Sequence, residues 1–238
     1  MINKYSLLLQ VLSISRVITV LLLLFCLNSS AQHQERTVFV YNVAFGGITA
    51  GIGSIINKPK SVNWKRAFAR GLWQGSIGGL IDYSGKKVSH LINKKQEVLY
   101  AWPAKLLHAT GYSIIENASA CLPFLQNWII DFGLLRFDYS MESKQIKARL
   151  LPYAMLSTII ATHYGTCDAG TSLKTGEIVF KNYDLLNLPS GVTNTPGATF
   201  GRAIVYTYGP QSNLTKERIL SHELIYRFQY NEYQVFNT

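Results

Sequence analysis

The stretch Ala67-Phe-Ala-Arg-Gly71-Leu-Trp-Gln-Gly75-Ser-Ile-Gly-Gly79-Leu-Ile81 carries a small residue at every fourth position, at Ala67, Gly71, Gly75 and Gly79. A four-residue spacing returns to one face of an α-helix, and a face without side chains lets a second backbone come close. Upstream, Val38–Ile56 holds no charged residue and carries Gly46, Gly47, Gly51 and Gly53. The link Asn57-Lys-Pro-Lys-Ser-Val-Asn63 is a turn by composition. The sequence thus predicts a tight helical hairpin, 40–56 against 65–81. The first arm is near the length that crosses a bilayer, whereas Arg70 and Asp82 bound a second uncharged run too short to do so comfortably. Both a hairpin buried against its own domain and a membrane-spanning one fit this pattern.

After the hairpin, Glu97–Ala120 reads as helix, interrupted near Pro103 and Gly111, with Leu106, Leu107, Ile114 and Ile115 as core candidates. His108 reads as a polar residue on its surface. Beyond Pro123–Ile130 the period changes. Leu135-Arg-Phe137-Asp-Tyr139 and Ile146-Lys-Ala148-Arg-Leu150 alternate apolar and charged residues, and Ser140-Met-Glu-Ser143 between them is a hairpin turn. Tyr153–Thr162 is apolar and fits a strand or a short helix. Glu177–Lys181 is a short strand and Asn182–Pro196 a polar loop. Ala198–Tyr208 reads as one apolar, β-branched strand, and after a turn at 209–213 Leu214–Tyr230 reads as a helix capped by Asn213 or Thr215. Helices first, then a mainly antiparallel sheet, then a last helix make an α+β pattern. Three regions follow from it: a leader over 1–31, a Gly-rich helical region over 32–130, and a sheet-plus-helix region over 131–238.

The last helix contains Ser221-His-Glu-Leu-Ile-Tyr-Arg-Phe-Gln229. In H-E-x-x-H, two histidines four residues apart share a helical face and a zinc ion, and the glutamate between them activates the bound water. His222 and Glu223 are in place, and Tyr226 stands where the second histidine would be. The strand, the turn and L-x-H-E-L-x-x-x-x-Q together resemble the active-site segment of zincin-type metallopeptidase domains of bacterial envelope and secreted proteins, over roughly residues 197–233. The resemblance implies a zincin-like C-terminal helix, zinc as cofactor, His222 as a metal ligand and Glu223 as the catalytic base. It also implies that a peptide pairs with the Ala198–Tyr208 strand. A phenol binds zinc well only after losing its proton, and no third ligand is evident. Glu232 stands ten residues after His222, but Gln229 occupies the position where a sharp turn would be needed to bring it back. Three functions therefore remain open. One is an exported protein with a degenerate zincin-like domain and no peptidase activity. Another is a zinc metallopeptidase using His222, Glu223 and further ligands, and the third is a membrane-associated structural or interaction protein unrelated to zincins.

Composition narrows the setting. The chain has 23 Lys and Arg against 13 Asp and Glu, a net charge of +10. Removing residues 1–31, which hold Lys4 and Arg16 and no acid, leaves +8. The basic residues are scattered, and no aromatic platform or fingerprint accompanies them, which excludes a nucleic-acid module and favours a membrane or envelope surface as partner. A peptide or protein partner is compatible with either. Lys4 and Arg16, the apolar run Val17–Leu27 and the small residues Asn28-Ser-Ser-Ala31 form the layout of a secretory signal peptide, predicting a mature start at Gln32 and a periplasmic or membrane-associated location. The alternative is an uncleaved anchor. Export leaves Cys121 and Cys167, which are free to pair or to remain as buried thiols. The glycines at 47, 51 and 53 mimic a dinucleotide loop, and Tyr83-x-x-x-Lys87 mimics a catalytic pair, but they lie too close together for that fold.

Overall fold

The computed structural model describes residues 31–209 and 212–233. The leader predicted over residues 1–31 lies almost wholly outside the described residues. Two compact units divide the chain, Met1–Tyr41 and Asn42–Thr238. Of the first, only the helical residues 31–41 are described. Helix α1 spans Ala31–Asn57, and its Arg36–Asn57 segment has a mean hydropathy of 1.5, long and apolar enough to cross a membrane by length and composition.

Helix α2 (Trp64–Lys95) starts at Asn63, whose side chain accepts from the Lys65 amide at 2.8 Å. It ends at Gln96 in the left-handed region, with Lys94 and Lys95 in the last turn, where cations complement the helix dipole. The glycine stripe makes the predicted approach. A Cβ on Gly75 would press into the Gly46 carbonyl and stand 2.5 Å from the Ala50 methyl. One on Gly46 would meet the Gly75 carbonyl at 2.7 Å. Helix α2 also has a second close face. Helix α3 (Ala101–Ser119) follows a short 3-10 turn at Val98–Tyr100 and lies against Gly78 and Gly85 through its own Gly111 and Ala104. Neither Pro103 nor Gly111 breaks α3. Pro103 sits in the first turn, where no amide needs an intrahelical acceptor, and Gly111 is where the α2 backbone passes.

Strands β1 (Asn127–Phe132), β2 (Leu135–Ser140) and β3 (Gln145–Leu150) form an antiparallel meander, sheet 1. Its register aligns Trp128 with Tyr139 and Ile146, Ile130 with Phe137 and Ala148, and Phe132 with Leu135 and Leu150. Alternation puts these nine on one face and the charged residues on the other.

Helix α4 (Pro152–Tyr164) then forms from the segment that read equally as strand or helix, with Pro152 in its first turn. Strands β4 (Thr166–Cys167), β5 (Ile178–Asn182), β6 (Gly197–Phe200) and β7 (Ala203–Thr207) make sheet 2, in the order β4-β5-β7-β6, with a short helix α5 (Ala169–Thr175) between β4 and β5. Strands β5 and β7 pair in parallel; every other pairing among the described strands is antiparallel. The single strand predicted over Ala198–Tyr208 is a hairpin instead. Gly201, at φ +54°, and Arg202 reverse the chain so that Thr199 pairs with Ile204. Apolar residues on both sides of a two-residue turn look continuous in sequence.

Helix α6 (Lys216–Tyr233) closes the fold, with the Thr215 hydroxyl accepting from the Arg218 amide at 3.3 Å. One face of sheet 2 buries Val179, Ile204 and Tyr206 against Leu220, Leu224 and Phe228 of α6. The other buries Phe180, Ala203 and Val205 against Ala161 of α4. The architecture is α+β, with the Gly-rich helices first, the strands next and the helix last. Cys121 and Cys167 are free thiols; Cys121 is half-buried and donates to the Ser54 carbonyl, and Cys167 is exposed.

Gly75→Ala tests the close approach. Alanine favours a helix by about 1 kcal/mol over glycine, yet overpacking costs about 1–3 kcal/mol, so the variant melts below wild type. Gly170→Ala is the control. Its Cβ would meet only Asp168 Oδ1, at 3.6 Å, so thermal unfolding places it at or above wild type.

Candidate functional site

Helix α6 runs unbroken through Gln229 and splits the predicted site between two environments. His222 and Tyr226 are exposed, four residues apart as the motif requires, with ring centroids 4.8 Å apart and edge-on. Glu223 turns inward and is 5% exposed. Its carboxylate lies 2.7 Å from the Thr199 hydroxyl of β6, which also reaches the Glu223 carbonyl at 3.0 Å. Gly197 leaves room for it, since a Cβ there would meet Glu223 Oε1 at 3.1 Å. Burial pushes the Glu223 carboxyl up to about 7, against a smaller opposing effect of the Thr199 hydrogen bond. Glu223, His222 and His90 line one cleft of about 370 Å³. A carboxyl near neutrality in a cleft is able to take up or release a proton at physiological pH.

Zinc does not fit this arrangement. Among the described residues no group of three or more His, Cys, Asp or Glu side chains is placed to hold a metal ion. Tyr226 offers a half-exposed phenol where an imidazole is needed, and the Glu223 carboxylate is held by Thr199. His163 is exposed on α4 and meets only Tyr164 edge-on among its ring contacts.

A second cluster was not legible in the sequence. His108 is not a surface residue; it is 4% exposed and stacks on Phe228 with centroids 4.3 Å apart. Its Nδ1 bonds the Asp82 carboxylate, and its Nε2 lies 3.1 Å from the Asn231 amide nitrogen. An amide nitrogen donates only, so Nε2 accepts and Nδ1 carries the proton toward Asp82. Asp82 also pairs with Lys86 at 3.2 Å, and Lys86 donates to Asn42.

Next to this dyad, Asp131 of β1 receives Arg202 at 2.5 Å, Arg227 at 3.9 Å and the Asn231 amide at 3.2 Å. Glu177 joins Lys105, at 2.8 Å, to Arg227, at 3.1 Å. Burial raises the Asp131 carboxyl, but Arg202, Arg227 and Arg136 outweigh it and hold it below the usual carboxylate range. Burial lowers Lys105, with Glu177 opposing. A cavity of about 10 Å³, room for one water, lies among Lys105, His108, Asp131, Glu177, Arg227 and Asn231. The cluster ties α2, α3, β1, the β6–β7 turn and α6 together, and within it the buried Asp131 Oδ1 has no hydrogen-bond partner among the described residues.

No protein-family model, curated protein or solved structure matches this chain.

The Glu223 carboxyl sets a pH dependence. A folded-state value raised to about 7 from 4.5 means the protonated fold has its full stability below 4.5 and loses it as the pH climbs through 7. The loss amounts to about 3 kcal/mol. Glu223→Gln keeps an acceptor for Thr199 and removes the charge. Urea unfolding from pH 4.5 to 8 therefore gives a flatter stability profile for the variant, which exceeds wild type at pH 8.

Proposed function

We propose that this chain is an exported, envelope-associated protein in which the His222-Glu223-Leu-Ile-Tyr226 segment is a packed structural element of a degenerate zincin-like domain, without peptidase activity. The observation that carries this reading is the position of Glu223. A general base for a metal-bound water must face an open coordination site. Here the carboxylate is buried against Gly197 and bonded by Thr199 while His222 and Tyr226 face solvent. The sheet 2 hairpin and α6 interlock through that bond, which gives Glu223 a role in packing. Association with the envelope is supported by the basic balance of the chain, by the signal-like leader, and by the apolar Arg36–Asn57 helix.

A second reading, a zinc metallopeptidase, draws on the cleft of about 370 Å³ shared by Glu223, His222 and His90 and on the near-neutral Glu223 carboxyl. Metal content separates the two. After dialysis against trace zinc, mass spectrometry finds the wild-type protein holding far less than one zinc per chain. Tyr226→His, which sets two imidazoles on one exposed helical face, binds zinc more tightly than wild type. Stoichiometric zinc in the wild-type protein would sink the structural reading. N-terminal sequencing of the exported protein gives Gln32 as its first residue, and a retained Met1 replaces the cleaved leader with an anchor.

A further inference from the structure

The turn between α1 and α2 gathers charge that the fold does not use. From Arg36 to Ile81 the chain has no Asp or Glu. Apart from Arg36 itself, every basic residue of that span falls between 58 and 70, at the tip of the helical hairpin: Lys58, Lys60, Lys65, Arg66 and Arg70. Lys58 is half-buried and the other four are exposed. Among the described residues none of the five pairs with a carboxylate. Arg70 donates to the Leu122 carbonyl at 3.2 Å, and the Lys65 ammonium lies 5.7 Å from the centre of the Trp64 ring. Lys65 and Arg66 also stand in the first turn of α2, which holds no acid, although the helix dipole favours anions there. Cations crowded at a helix start work against the fold, and a bound anion relieves both the crowding and the dipole.

The surroundings of the tip decide which anion. The charges directly follow the apolar Arg36–Asn57 segment of α1, long enough to cross a membrane. Ile52 and Ile56, one turn apart near its end, are 40% and 75% exposed. Trp64 opens α2 and is half-buried. Exposed aliphatic side chains, an indole and a group of Lys and Arg within one short stretch suit the boundary of a bilayer, where acyl chains, polar interface and phosphates succeed one another in depth. A nucleic-acid backbone would use the charges and leave the two isoleucines in water.

We propose that the hairpin tip, residues 56–70, is the contact of this protein with the phosphate headgroups of an anionic bilayer, its positive charge supplied by Lys58, Lys60, Lys65, Arg66 and Arg70. The proposal rests on the envelope-associated reading above and names the segment and the lipid chemistry that make the contact. Hydrogen exchange on the full chain tests it, with vesicles of phosphatidylcholine alone or mixed with phosphatidylglycerol. Amides of residues 58–66 slow with the mixed vesicles and hardly change with the neutral ones. The slowing disappears at about 1 M salt, where charges are screened beyond about 3 Å.

Lys60→Gln with Arg66→Gln, both at exposed positions, weakens the salt-sensitive partition into mixed vesicles about thirtyfold, while the melting temperature stays at or above the wild-type value. Lys94→Gln with Lys95→Gln removes the same charge at the other end of α2, about 45 Å away, and changes the partition by less than about twofold. Equal weakening by the two pairs makes net charge the cause and overturns the tip, as does equal slowing with neutral vesicles. If the chain floats with the mixed vesicles but residues 58–66 exchange unchanged, another segment makes the contact; the tip is then overturned and the envelope reading stands. A chain that floats with neither vesicle overturns both. Slowing of the same amides by a DNA duplex and not by vesicles assigns the tip to nucleic acid and overturns the lipid proposal.

Discussion

The fold depends on how the Asp131 carboxylate is held. Arg202 arrives from the β6–β7 turn and Arg227 from α6, so one carboxylate on β1 fixes both sheets and the last helix relative to one another. Glu177 repeats the arrangement between Lys105 of α3 and Arg227. Charges this deeply buried gain little net stability as pairs, because desolvation cancels most of the attraction. Removal of one partner is another matter. It strands a charge in a dry interior and costs about 3–5 kcal/mol. The cluster therefore acts less as a source of stability than as a condition that alternative packings of α3, β1 and α6 fail to meet.

Glycine makes that cluster geometrically attainable. Asp82 reaches His108 because α2 and α3 approach where side chains are missing. A Cβ on Gly111 would meet the Asp82 amide nitrogen at 2.5 Å, and one on Gly85 would meet the His108 amide nitrogen at 2.9 Å. On its other side α2 lies equally close to α1 through Gly75 and Gly79. Lys86 then reaches Asn42 across that interface. Small residues and buried polar ones thus serve one arrangement. The first bring three helices near enough for their polar side chains to meet, and the second pair with one another where water is excluded.

What could be read from the sequence follows from the range of each signal. The helical hairpin was legible because its information is periodic and local, in glycines four residues apart. Strands β2 and β3 were legible because Leu135–Tyr139 and Ile146–Leu150 alternate strictly. The β6–β7 hairpin was not, because Gly201-Arg202 is a minimal turn between residues that are apolar on both sides. Least legible was the charge cluster. Lys86, Lys105, Arg202 and Arg227 belong to residue types that ordinarily face water, and nothing local marks them as buried. Asn231 is 123 positions from its partner His108. At the H-E-x-x-Y segment the sequence placed His222 and Tyr226 on one face, as found, but could not tell that Glu223 would be taken up by Thr199, a residue 24 positions away.

The two ends of α6 show how a motif-like segment comes to serve packing. Toward its C-terminus, Arg227 and Asn231 enter the Asp131 cluster, where Arg227 bonds Asn231 at 2.7 Å. One turn earlier, Glu223 faces the β6 edge, and Ser221 donates to the Ser89 carbonyl of α2 at 2.9 Å. Leu220, Leu224 and Phe228 fill the remaining inward positions. Every inward-facing residue of the helix between Leu220 and Asn231 is thereby engaged by the protein itself. On the outward side His222 and Tyr226 face solvent and touch each other edge-on, while the Glu223 carboxylate, next to His222 in sequence, packs against β6.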